Sequence, residues 1–127
     1  MVENSFDSAD VAMRIEDGIL YLKYKKDILD LICAQNVVNA RLSMSKNVTY
    51  PLLVDISAVK TTTKEARNYS SHGDAAKLVS ATALCGTSEL TRLMANFFLA
   101  INKPDVPVKF FNDAQKGLQW LEQFKSR

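Results

Sequence analysis

Asp55 ends a short apolar run, Leu52-Leu53-Val54-Asp55-Ile56, that opens behind Pro51. Such a run reads as a central strand buried on both faces, and open α/β sheets gather ligands and switching residues at the carboxyl ends of these strands. Ser57, Thr61, Thr62, Thr63, Glu65 and Arg67 follow closely. Hydroxyls at a helix start can accept a phosphoryl group or help hold an anion, because the free N–H groups there favour negative charge. Each residue also has a purely local role to play. Asp55 can close an Asx turn onto Ser57, and a threonine can cap the helix. Glu65 and Arg67, two apart, cannot face each other on a helix, so each serves a partner surface or solvent.

His72 is the single histidine. Grouped with Asp55 and Ser57 it would make a nucleophilic triad, but no Gly-x-Ser-x-Gly elbow presents the serine. Cys85 precedes Gly86-Thr87-Ser88, where a helix N-terminus would lower its pKa. A buried, inert thiol is the commoner fate. One His and two Cys are too few for a dedicated His/Cys metal cage. The four glycines, at 18, 73, 86 and 117, stand too far apart for a phosphate-cradling loop. The inventory argues against an enzyme, and no metal or cofactor is expected.

A second group is apolar. Met94, Phe97, Phe98, Phe110, Phe111 and Trp120 crowd the last third of the chain. They can line a pocket for a lipid or other small apolar ligand, or form a contact face. Aromatics at helical spacing are more often core, an assignment strongest for Leu93, Phe97 and Leu121. Met94, Phe98, Phe111 and Trp120 are therefore the candidates for a ligand or an interface.

The elements that position these residues follow from the patterning. With 127 residues, 47% hydrophobic and 24% charged, the chain is one globular domain with room for a core. Its net charge of +2 is too small for a nucleic-acid footprint. Residues 1–10 are polar and expected to fray, leaving 11–127 as the domain. Asp17-Gly18 between two apolar runs marks a β-hairpin. From Asp27, a candidate cap, Ile28, Leu31, Ile32, Gln35, Val38 and Leu42 take helical spacing. The strand at 52–56 follows, then a helix capped by Thr63, a strand over 77–84 and a helix from Ser88. Leu90, Leu93, Met94, Phe97 and Ile101 form the apolar stripe of that helix. Pro107–Phe111 is the last strand, and Asn112 or Asp113 caps a final helix that buries Ala114, Leu118, Leu121 and Phe124. The order β-β-α-β-α-β-α-β-α predicts a mixed, mostly parallel sheet of about five strands with about four helices. No stretch has the length and apolarity of a transmembrane segment, and the N-terminus lacks a signal peptide's apolar region. A cytoplasmic, bacterial protein with free thiols is expected.

This order resembles the STAS (SpoIIAA-like, anti-anti-sigma-factor) domain and its small uncharacterised relatives with a lipid-transfer-like (SEC14/CRAL-TRIO) label. Pro51–Val59, Asn96–Pro104 and Pro107–Phe111 running into Trp120-Leu121 carry the likeness, which extends over nearly the whole chain beyond residue 10. The likeness to the regulatory branch is mostly topological. The resemblance implies a non-enzymatic module that works by contact with a protein partner or with a second copy of itself. Regulatory members carry an Asp-Ser-Ser/Thr-Gly helix start whose hydroxyl is phosphorylated. Here that place reads Thr63-Lys64-Glu65-Ala66, without the Asp, the paired hydroxyls or the Gly. The Thr61-Thr62-Thr63 run supplies the nearest hydroxyls.

Overall fold

The computed structural model describes residues 4–125. Within them a six-stranded sheet runs in the order β1-β2-β3-β5-β7-β8. Its strands are β1 (Asn4–Asp7), β2 (Val11–Glu16), β3 (Ile19–Tyr24), β5 (Tyr50–Asp55), β7 (Val79–Cys85) and β8 (Val108–Phe111). Two short strands, β4 (Ile28–Leu29) and β6 (Thr61–Thr62), pair separately and in parallel. The helices are α1 (Leu31–Ser45), α2 (Lys64–Ser71), α3 (Glu89–Asn102) and α4 (Ala114–Leu121).

β1 and β2 are antiparallel, as are β2 and β3, whereas β3-β5, β5-β7 and β7-β8 are parallel. The fold class is therefore the mixed, mostly parallel α/β sheet that the patterning predicts. The hairpin turns on Asp17 (φ 54°) and Gly18 (φ 76°), both left-handed, as the two-residue turn requires.

Three expectations are corrected. The expected frayed segment contains β1, which pairs with β2 from Asn4↔Ile15 to Asp7↔Ala12 and adds a sixth strand; residues 1–3 lie outside the described residues. The first helix starts later than Asp27. Asp30 is its cap, accepting from the Cys33 amide at 2.9 Å. The Asp27 carbonyl instead accepts from the amides of Lys60 (2.7 Å) and Thr61 (3.1 Å), which locks β4 beside β6.

The third correction concerns which helix faces are buried. α1 buries Cys33, Ala34, Val37, Val38, Arg41 and Ser45, while Ile32 is exposed. α3 buries Thr91, Ala95 and Asn102, and leaves Leu90 (46%), Leu93 (53%), Phe97 (51%) and Ile101 (63%) open to solvent. Small residues and polar side chains that each make a hydrogen bond let α3 approach its neighbours closely. Thr91 Oγ1 lies 2.7 Å from Ser88 Oγ, and Asn102 Nδ2 donates to Asn68 Oδ1 at 2.7 Å. Gly86 is required beneath Thr91, because a Cβ there would lie 2.3 Å from Thr91 Cγ2. In α4 the expected Ala114 is exposed and Leu121 is the buried anchor, with Leu118, Trp120 and Phe124 partly covered.

Strand alternation divides the core in two. Leu20, Leu22, Leu52 and Val54 point to the face covered by α1 and α2, and α3 joins this layer through Met94, Ala95 and Phe98. Ile19, Leu53, Ala81, Ala83 and Cys85 point to the other face, where α4 brings Leu121.

Candidate functional site

The parallel register sets Lys23, Asp55, Cys85 and Phe111 in one row across the carboxyl edge of the sheet. Asp55 Oδ1 accepts from the Ser57 amide at 2.9 Å, which makes the local Asx turn. Asp55 and Ser57 border a shallow concavity with Cys85, Gly86, Asn112 and Asp113. The Cys85 thiol is pushed up to about 11 by burial and, secondarily, by the Asp55 charge. A thiol held this far above neutrality is a poor nucleophile.

Thr61, Thr62 and Arg67 open elsewhere, onto a shallow groove shared with Lys60, Leu93, Met94 and Phe97, and Thr62 and Arg67 also border the cavity beneath α1–α3. The run expected to act as one surface from Asp55 to Arg67 is thus divided between two concavities. Thr63 Oγ1 accepts from the Ala66 amide at 3.1 Å and caps α2. Arg67 Nη1 donates to the Thr62 carbonyl (2.9 Å) and to Thr62 Oγ1 (3.0 Å). Its guanidinium carbon lies 5.2 Å from the centre of the Phe97 ring, within cation–π range. Thr61 and Glu65 are exposed. The local roles weighed for Asp55 and Thr63 are therefore filled, and Arg67 ties the groove's floor to the apolar ridge of α3.

His72 and Asp55 have separate partners. His72 Nδ1 lies 2.7 Å from Asp105 Oδ1 at the surface, and this contact holds the Asp105 carboxyl below its usual range. The Asp55 carboxylate is engaged with Ser57, so the triad grouping is not assembled.

The four apolar candidates are likewise divided, by the sheet itself. Met94 and Phe98 line a partly open cavity of about 140 Å³ between the sheet and α1–α3. Phe111 and Trp120 lie on the opposite face, with ring centres 5.6 Å apart, and Trp120 packs edge-on against Phe124 at 4.9 Å. A single pocket lined by the C-terminal aromatics is therefore absent among the described residues.

Sequence reasoning missed Arg41 and Ser70, which border the same cavity. Arg41 is 2% exposed. Its Nη2 donates to the carbonyls of Asp74 (3.1 Å) and Ala75 (3.4 Å), whereas Nη1 and Ser70 Oγ have no hydrogen-bond partner. The available signal was spacing, since Arg41 falls four and seven residues after Val37 and Ala34, on the buried side of α1.

Among the described residues no helix is long and apolar enough to cross a membrane, and no three His, Cys, Asp or Glu side chains converge as a metal site would require.

Comparison with solved structures places this architecture. An uncharacterised DUF3478-family protein with a SpoIIAA-like fold, from Shewanella loihica PV-4, superposes with a TM-score of 0.62 at 18% identity, covering 87% of this chain and 91% of that one. An anti-sigma factor antagonist from Mycobacterium paratuberculosis superposes with a TM-score of 0.59 at 13% identity, covering 87% and 92%. A protein of unknown function from Arthrobacter sp. FB24 is 30% identical over 84% of this chain and 94% of that one, with a TM-score of 0.30. No curated protein matches the chain. The fold is SpoIIAA-like, in agreement with the resemblance read from the sequence. Residues 13–125 match the family described as a domain of unknown function, and the chain belongs to that family, DUF7793.

Proposed function

We propose that this protein is a contact module, a STAS-like domain that acts by binding another protein through the outer face of α3 and the adjoining start of α2. The observation that carries the reading is the exposed stripe Leu90, Leu93, Phe97 and Ile101. These positions fall on one side of the helix, and clustered exposed apolar side chains mark interaction sites. Lys60 and Arg67 flank Leu93 and Phe97 in the groove, so the fitting partner is a protein surface with an apolar recess and an acidic margin. The anti-sigma factor antagonist among the structural neighbours supports a regulatory module of this kind. Thr61, exposed at the groove, is the hydroxyl best placed for modification; Thr62 and Thr63 are engaged locally. A phosphate on Thr61 would bring negative charge beside Lys60 and Arg67 and compete with an acidic partner.

The test compares affinity capture from a lysate of the source cells by the wild type, by Phe97→Asp and by Ile32→Asp, with quantitative mass spectrometry. A protein retained by the wild type and Ile32→Asp but lost from Phe97→Asp is the expected result. Light scattering on the same samples reads self-association: a dimer that Phe97→Asp dissociates would make the partner a second copy. A captured set that is the same for all three, with all three monomeric, overturns the reading.

A further inference from the structure

The cavity beneath α1–α3 is walled by apolar side chains from both layers, among them Leu22, Val54, Leu84, Val37, Phe98 and Val108. Its volume is about 140 Å³. A purely apolar cavity of about this size stays dry and holds a molecule the size of benzene. Two cations border this one, Arg67, whose Nη1 is engaged by Thr62, and Arg41. Arg41 is 2% exposed, and among the described residues it belongs to no ion pair. Half of its fork is anchored by the Asp74 and Ala75 carbonyls, so the guanidinium is held in place. Nη1 is left unpartnered, as is Ser70 Oγ on the same cavity. An uncompensated buried charge is costly, and arginine does not shed its proton to escape the cost. Two idle polar groups beside an apolar chamber describe an amphipathic anion.

We propose that this cavity binds a small monocarboxylate of about the size of benzoate, with its carboxylate on Arg41 Nη1 and Ser70 Oγ and its apolar body against the sheet. A guanidinium N–H and a hydroxyl both donate to carboxylate oxygens, and a charge-assisted bond of this kind is strong when desolvated. A neutral hydrocarbon would fill the volume but leave the cation unpaired. Inorganic phosphate would pair the cation but leave the apolar walls uncovered. Met94 and Phe98 enter this site from the inner side of α3, while Phe111 and Trp120 have no part in it.

The experiment titrates benzoate into the purified full chain, followed by amide NMR shifts and thermal denaturation, with benzene as the neutral comparison. Benzoate should saturate the wild type and raise its melting temperature. Arg41→Met should weaken benzoate by at least about tenfold, the loss expected for a charged hydrogen bond, and leave benzene binding in place. Ser70→Ala, which leaves the cation and the walls intact, should weaken benzoate by about three- to tenfold and carries the test if Arg41→Met fails to fold. The proposal is overturned if benzoate does not bind the wild type, if benzene binds it more tightly, or if a folded variant binds benzoate as tightly as the wild type does.

Discussion

The two faces of the sheet are built on different plans. Under α4 the strands present Ala81 and Ala83, both fully buried, and α4 answers with Gly117. Even a Cβ at Gly117 would come within 3.1 Å of Leu53 Cδ1 and 3.3 Å of Ala83 Cβ. Helix and sheet are in direct contact there, and Leu121 closes the end with no exposure. Under α1–α3 larger side chains surround a cavity, with a buried arginine and a serine in its wall that each keep one unpartnered polar atom. Close packing of small residues serves stability. The looser face sacrifices part of its packing energy and keeps open volume beside unpartnered polar groups.

The largest effect expected from this contrast is on stability. Leu121→Ala should cost about 2–5 kcal/mol in urea denaturation, the range for emptying a closely packed site. Met94→Ala, at a wall that already borders open volume, should cost less than about 2 kcal/mol. Equal losses would abolish the distinction between the faces. Overpacking gives a sharper comparison. Ala83→Val forces a branched side chain against Gly117 and should cost about 1–3 kcal/mol, whereas Val54→Ile extends into the cavity and should change stability by less than about 0.5 kcal/mol. If Val54→Ile is as harmful as Ala83→Val, the cavity is not available volume.

A smaller effect distinguishes the faces at alkaline pH. Tyr24, which lines the cavity, has its phenol pushed above its ordinary 10.0, first by burial and then by the nearby Cys33 thiol, with Arg41 opposing. A folded-state pKa above the unfolded value favours the proton-bound native state. That contribution is complete below pH 10 and is lost as pH rises toward the folded value, because the unfolded chain deprotonates first. Stability should therefore fall steeply above pH 10, and Tyr24→Phe should flatten the fall. Phenolate absorbance recorded against pH, together with urea midpoints at each pH, measures both. A wild-type profile matched by Tyr24→Phe would remove Tyr24 from the explanation.

How much of this was legible depended on whether local chemistry decided the question. Asp17-Gly18 announced its turn because only residues that tolerate positive φ fit there. The Thr63 cap and the helix start at Ser88 were readable because a hydroxyl before a helical run can satisfy the free amides of the first turn. The apolar run at 52–54 could only be a covered strand. Tertiary decisions were not readable. Periodicity finds the two sides of α3 but not which one meets the protein, and here the apolar side faces out because Thr91, Ala95 and Asn102 fit the interior. Asn4–Asp7 looked frayed because its pairing partner, not its own composition, makes it a strand. Within the candidate site, Asp55, Ser57, Thr61, Thr62 and Arg67 were found as residues, but the separation of the first two from the other three into different concavities required the tertiary fold. Arg41 was missed because a cation on a buried stripe contradicts composition and is resolved only by carbonyls more than thirty residues away.

Site-specific photo-crosslinking in the source cells tests whether α3 carries the contact surface. A photoreactive phenylalanine at position 97 is compared with one at position 32, since Ile32 is exposed and apolar but stands apart from the stripe. Binding through α3 should give a discrete crosslinked adduct from position 97 and none from position 32. The absence of an adduct at 97, or equal adducts from both positions, would contradict it.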